Sequence, residues 1–155
     1  MLNLTQKERM LLEDQKTHEQ VCIDKYTNYA SQAQSPELKN LFQNYAGQEQ
    51  QHLNSINQLL NGQLPATGQG QQQNQTQSPN QASQMQGAMA NQQDATLCND
   101  LLMTEKYISN TYDTAIFEFT DTNVRQILNH IQKEEQQHGE GIFNYMQNNG
   151  MYNPQ

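Results

Sequence analysis

The sequence has no tryptophan, two cysteines, four prolines and eight basic residues against 16 acidic ones in 155 positions. Each shortage excludes something. Cys22 and Cys98 make neither a CxxC motif nor a disulfide framework; both fall at helical positions, where small buried apolar side chains and reduced thiols are expected. A net charge of −8 and a pI near 4.8 argue against a nucleic-acid backbone as partner. The six lysines and two arginines are scattered, which disfavours an anionic membrane surface. No apolar run approaches the roughly 18 residues of a spanning helix. The opening MLNLTQKERMLLEDQ has no apolar signal core, so synthesis in the cytoplasm is the expectation. No Ser/His/Asp set, P-loop or glycine-rich nucleotide motif occurs. Hydrophobic residues make up only 34%, but they are confined to two segments that can each build a core face.

Between those segments, residues 62–93 are a low-complexity stretch of Gln, Asn, Gly, Ser and Pro, too polar to offset its ordering entropy and expected to be a mostly disordered linker. The flanking segments align without a gap at a shift of 86, the spacing from His52 to His138. Glu19 falls on Glu105, Tyr26 on Tyr112, Tyr45 on Ile131, Glu49 on Glu135 and Ile56 on Ile142, the pattern of a duplicated supersecondary unit. Each unit reads as a helical hairpin, 5–61 and 94–150. Thr5 and Glu8 form a capping box, Ser35-Pro36 starts a second helix and Gly62 stops it. Asp94 is expected to cap the third helix and Asp121 the fourth, which Asn148-Asn149-Gly150 ends. A helix of about 26 residues is roughly 39 Å long at about 1.5 Å per residue. The linker can span such a distance, so the second and third helices are expected to run parallel. The fold expected is all-α: one ferritin-like four-helix bundle of two tandem hairpins with a long 2–3 crossover.

Inside the apolar stripes, polar residues stand where core residues belong. One stripe reads Leu38, Leu41, Tyr45, Glu49, His52, Ile56; its counterpart reads Val124, Ile127, Ile131, Glu135, His138, Ile142. Glu19 sits between Gln15 and Cys22, and Glu105 between Leu101 and Ile108. Four carboxylates and two imidazoles facing one another are costly without compensating cations. One Glu from each of two helices, with Glu-x-x-His from each of the others, matches the pattern of carboxylate-bridged di-iron and di-manganese bundles. Two divalent cations, iron or manganese with zinc admissible, are therefore expected. Glu49 and Glu135 are expected to bridge them, His52 and Glu19 to complete one set, and His138 and Glu105 the other. The plainer reading is a hydrogen-bonded polar core left from a metal-binding ancestor. Tyr26 and Tyr112 are core aromatics or hydrogen-bond donors behind the glutamates. His18 and His130 are expected on the surface, and Glu134 facing away from the stripe.

The segments LLMTEKYISNTYDTAIFEF and VRQILNHIQKEEQQHGEGIFNYMQNNGMY resemble the coat F domain, the family of spore coat protein F in endospore-forming bacteria. The likeness lies in the LL-x-x-EK start, the double Glu of the last helix and the aromatic tail after Gly150; Met151 departs from it where an aromatic is expected. It covers the second half well and reaches the first through the repeat. It implies a ferritin-like fold, a place in the spore coat, and other coat proteins or a second copy of the chain as partners. The six ligand-type residues are also similar to those of rubrerythrins and manganese catalases, although rubrerythrin's cysteine-rich module is absent. Two functions follow as expectations: a structural or interaction protein of the coat carrying a di-metal site, or a di-metal oxidoreductase of the peroxidase or catalase kind.

Overall fold

Helix α1 (Gln6–Gln32) begins where the sequence places its cap: the Thr5 hydroxyl accepts from the Glu8 amide at 3.2 Å, and the Glu8 carboxylate accepts from the Thr5 amide at 2.8 Å. This satisfies two of the donors that every helix start leaves open. Ser35 caps α2 (Pro36–Leu60), with proline at its first position, and the chain leaves that helix through Gly62 at φ 76°, a left-handed conformation that suits glycine. The Asp121 carboxylate accepts from the amides of Asn123 and Val124 and starts α4 (Thr122–Asn148). The computed structural model describes residues 1–66 and 87–152, with only the backbone of 87–91.

One boundary differs from expectation. Helix α3 runs Gly87–Glu118, so residues 87–93, read from composition as linker, are helical; within that stretch, 67–86 lies outside the described residues. Asp94 therefore caps nothing. It is buried inside α3, and its carboxylate accepts from the amides of Gln34 and Ser35 at 2.8 and 2.9 Å. Glu8, its counterpart in the repeat, makes the reciprocal contact, accepting from the Thr120 amide and hydroxyl at 2.9 and 3.0 Å. Each hairpin thus holds the inter-helix turn of the other with a buried carboxylate.

The described residues form four helices and no strand, packed as two pairs. Contacts fix the directions. Arg9 reaches the Leu60 carbonyl and Tyr26 packs on Tyr45, so α1 and α2 are antiparallel. Gln132 donates to the Ser109 carbonyl and His138 faces Glu105, so α3 and α4 are antiparallel as well. Lys7 pairs with Glu118 and Lys25 with Asp100, which sets α1 against α3 in opposite directions. It follows that α2 and α3 run parallel, as the crossover requires. Buried positions on α1 recur every three or four residues from Glu8 to Ala30, the stripe of a helix with one core face. Leu12, Tyr26, Leu38, Phe42, Ile56, Leu101, Tyr112, Leu128 and Ile142 fill the core at both ends. Burying each such side chain is worth about 1.5–3 kcal/mol. Between those apolar ends lies a layer of charge.

Candidate metal centre

The six residues marked by the sequence meet in that layer. Glu19, Glu49, His52, Glu105, Glu135 and His138 are all at most 2% exposed. Their helical spacing explains the meeting: each lies on the stripe that its helix turns inward, at one common height. Glu49 directs one oxygen to His138 Nδ1 at 3.0 Å and the other to His52 Nδ1 at 3.2 Å. Glu135 does the same, reaching His52 Nδ1 at 3.1 Å and His138 Nδ1 at 3.6 Å. Glu19 faces only His52, at 3.5 Å, and Glu105 only His138, at 3.4 Å. Two overlapping sets result, Glu19–Glu49–His52–Glu135 and Glu49–Glu105–Glu135–His138, each with one ligand atom per residue inside 4.8 Å. Glu49 and Glu135 belong to both.

A second layer fixes the first. Tyr26 donates its hydroxyl hydrogen to Glu105 and Tyr112 donates to Glu19, so each tyrosine serves the other hairpin's glutamate. Both rings are fully buried, making these residues core aromatics and hydrogen-bond donors at once. His52 Nε2 lies 2.6 Å from the Glu134 carboxylate, and His138 Nε2 lies against Gln48 Oε1. Glu134, expected to face away from the stripe, instead sits beside a ligand-type residue, as Gln48 does in the other half, and takes the far imidazole nitrogen. These acceptors hold each Nε2 proton and orient the ring so that Nδ1 faces the cluster centre. Tyr45 stacks on His138 with ring centroids 4.3 Å apart. His18 is half-buried beside Gln15, Thr111 and Tyr107 rather than free on the surface, while His130 is exposed as expected and pairs with Glu134 at 3.4 Å.

Burial penalises the charge on all four carboxylates, but the balance differs among them. It pushes the Glu19 carboxyl well above the usual range. Burial, and then the Glu135 charge, pushes Glu105 up to about 8. At Glu49, burial is outweighed by hydrogen bonds from His138 and His52, which hold the carboxyl below its ordinary value. Glu135 is held low in the same way, by Glu105, His138 and His52 against burial. Burial opposes protonation of the imidazoles, yet the surrounding carboxylates raise both His52 and His138 well above their ordinary value. In this state two carboxylates and two imidazoliums balance, and Glu19 and Glu105 stay neutral. The balance is incomplete in hydrogen bonds: Oε2 of Glu19, Glu105 and Glu135 is buried with no hydrogen-bond partner. Buried acceptors in native proteins are seldom left so. Carboxylate oxygens and imidazole nitrogens converging, with no lysine or arginine among the ligand sets, suit divalent cations chemically.

Cys22 and Cys98 are fully buried free thiols. Burial, and then the Asp94 charge, pushes Cys98 up to about 12; burial and the Glu49 charge push Cys22 higher still. Neither belongs to the two sets of converging ligand atoms.

Fold and site together define a four-helix bundle with a buried carboxylate and imidazole cluster at mid-height. Residues 93–155, which take in most of α3 and all of α4, match the Coat F domain. No curated protein and no solved structure matches the chain. Among the described residues, no helix is long and apolar enough to cross a membrane.

Proposed function

We propose that this chain is a spore-coat protein of ferritin-like architecture, one domain formed by both hairpins, whose core holds two divalent metal ions. The observation that carries the metal reading is the division of labour among the carboxylates: Glu49 and Glu135 each face both imidazoles, while Glu19 and Glu105 each face one. That is the arrangement of two bridging and two terminal carboxylates. His52 and Glu19 would complete one ion's ligands and His138 and Glu105 the other's. Two cations would supply the partners that three buried carboxylate oxygens lack. The coat assignment rests on the Coat F domain match, with other coat proteins or further copies of the chain as partners.

A second reading, an oxidoreductase acting on peroxide, is favoured by Tyr26 and Tyr112. Both are oxidisable phenols hydrogen-bonded directly to terminal glutamates. Bound iron or manganese would supply the redox capacity; the chain's own part is to hold the ligands and keep bulk water from the core. The two readings are compatible. Metal analysis of protein purified without a histidine tag, with melting curves before and after chelation, tests the metal reading. Two manganese, iron or zinc ions per chain and a chelator-sensitive melting temperature support it. A metal-free protein unmoved by all three ions would leave a polar core in a structural coat protein. Peroxide consumption by the loaded protein separates the oxidoreductase from a purely structural component.

A further inference from the structure

The duplication is not symmetric around the cluster. On the α3–α4 side, a cleft of about 630 Å3 reaches Glu105 and Glu135, two of the three glutamates with an unpartnered buried oxygen. Gly139 lines it. Its counterpart in the first hairpin is Leu53, which is buried. Two further lining positions follow suit: Ser109 and Gln132 stand where the α1–α2 side carries Ile23 and Ala46. Three apolar side chains of one hairpin have thus become glycine, serine and glutamine in the other. A side chain at 139 would project into the cleft between Leu102 and Glu105, since a Cβ built there lies 3.8 Å from Leu102 Cδ1 and 3.9 Å from Glu105 Cβ. The space a leucine fills on one face is open on the other.

The lining also has a charge. Besides Glu105 and Glu135 it includes the exposed acids Asp113 and Glu140, against one cation, Lys106. Exposed acids of one sign at an opening raise the local concentration of cations and their rate of arrival. Gln132 donates to the Ser109 carbonyl at 2.9 Å, so part of the wall is polar. A partly hydrated ion can exchange ligands stepwise along such a surface.

We infer that the α3–α4 cleft is the one-sided port through which a divalent cation reaches the cluster, with the absence of a side chain at Gly139 holding it open. This rests on the metal reading proposed above, and the test separates the two. Metal-free full-length protein is mixed with cobalt(II), whose absorption reports inner-sphere binding, in wild type, Gly139→Ala, Gly139→Leu and Asp113→Asn/Glu140→Gln. Uptake by Gly139→Leu should be about tenfold slower, because the ion must then wait for a local opening of the helix pair. Its final stoichiometry should equal that of wild type. Gly139→Ala, whose methyl makes only ordinary contacts, should fall between the two. The double surface variant should load more slowly at low salt and match wild type at high salt.

If wild type takes up cobalt and Gly139→Leu does so at the same rate, the port is refuted while the metal centre stands. If wild type takes up none, both fall. Should Gly139→Leu fail to fold, the surface variant decides: a salt-dependent slowing supports the port and an unchanged rate overturns it.

Discussion

Replacing Glu19 and Glu49 in turn by glutamine should separate two carboxylates that look alike in the sequence. A carboxamide keeps the size of the side chain and imitates its neutral form. Burial keeps Glu19 protonated, and its Oε1 accepts a hydrogen bond from Tyr112 that an amide oxygen can also accept. Glu19→Gln should therefore change the stability of the metal-free protein by no more than about 1 kcal/mol. Glu49 is ionised and lies 3.0 and 3.2 Å from two imidazole nitrogens. Neutralising it leaves buried positive charge underpaired, and breaking such a pair costs about 3–5 kcal/mol. For a chain of this size that is a fall of about 6–20 °C in melting temperature. The sign with pH follows from the depressed value: the Glu49 contribution is full above the unfolded carboxylate range and is lost as pH falls through the folded value. Both variants should lose most of the stabilisation given by metal, which at a hundredfold excess over Kd is about 2.7 kcal/mol in wild type. Calorimetry of the three proteins with and without manganese makes the comparison. Equal losses in the two metal-free variants would refute the assignment of protons within the cluster.

Three further outcomes are expected. A Cβ at Gly141 would lie 1.8 Å from the Tyr45 hydroxyl, so Gly141→Ala must displace the ring that stacks on His138. Overpacking of about 1–3 kcal/mol then outweighs a helix-propensity gain of about 1 kcal/mol, whereas Gly47→Ala, which meets nothing within 4 Å, should stabilise in urea titrations. Glu8→Ala removes the acceptor of the Thr5 and Thr120 amides and should cost about 2–3 kcal/mol. Burial opposes ionisation of Glu8, but those hydrogen bonds outweigh it and lower its value, so the cost should shrink as pH falls below the ordinary 4.5; a pH-independent cost would contradict the tether. Because Glu19, Glu105 and both imidazoles hold protons that metal must displace, affinity should rise from about pH 6 to pH 8 with proton release. Titration calorimetry in buffers of different ionisation enthalpy measures it, and a pH-independent affinity would count against it.

The repeat made much of this architecture readable. Period and caps located α1, α2 and α4, and Glu19, Glu49, His52, Glu105, Glu135 and His138 are legible because each interrupts an apolar stripe at the same height. The start of α3 is not legible because Gly87–Gln93 has a linker's composition, and composition cannot register that the helix continues outward from a packed end. Asp94 read as a cap for the same reason; its role depends on Gln34 and Ser35, which only the folded chain brings to it. Glu134 and Gln48 are not legible although the repeat aligns them, since one residue short of Glu135 or of Glu49 is off the stripe on an isolated helix. The need of each imidazole Nε2 for an acceptor was the signal that could have found them. Ionisation states were beyond reach, because the difference between Glu19 and Glu49 depends on how many imidazoles each carboxylate faces.

The central claim is that six buried side chains form one centre for two metal ions. Anomalous scattering from crystals of the manganese-loaded protein tests it directly. The expectation is two peaks in the core about 3.5–4 Å apart, both flanked by Glu49 and Glu135, one beside His52 and Glu19 and the other beside His138 and Glu105. A core without anomalous signal in crystals grown at saturating manganese would contradict it.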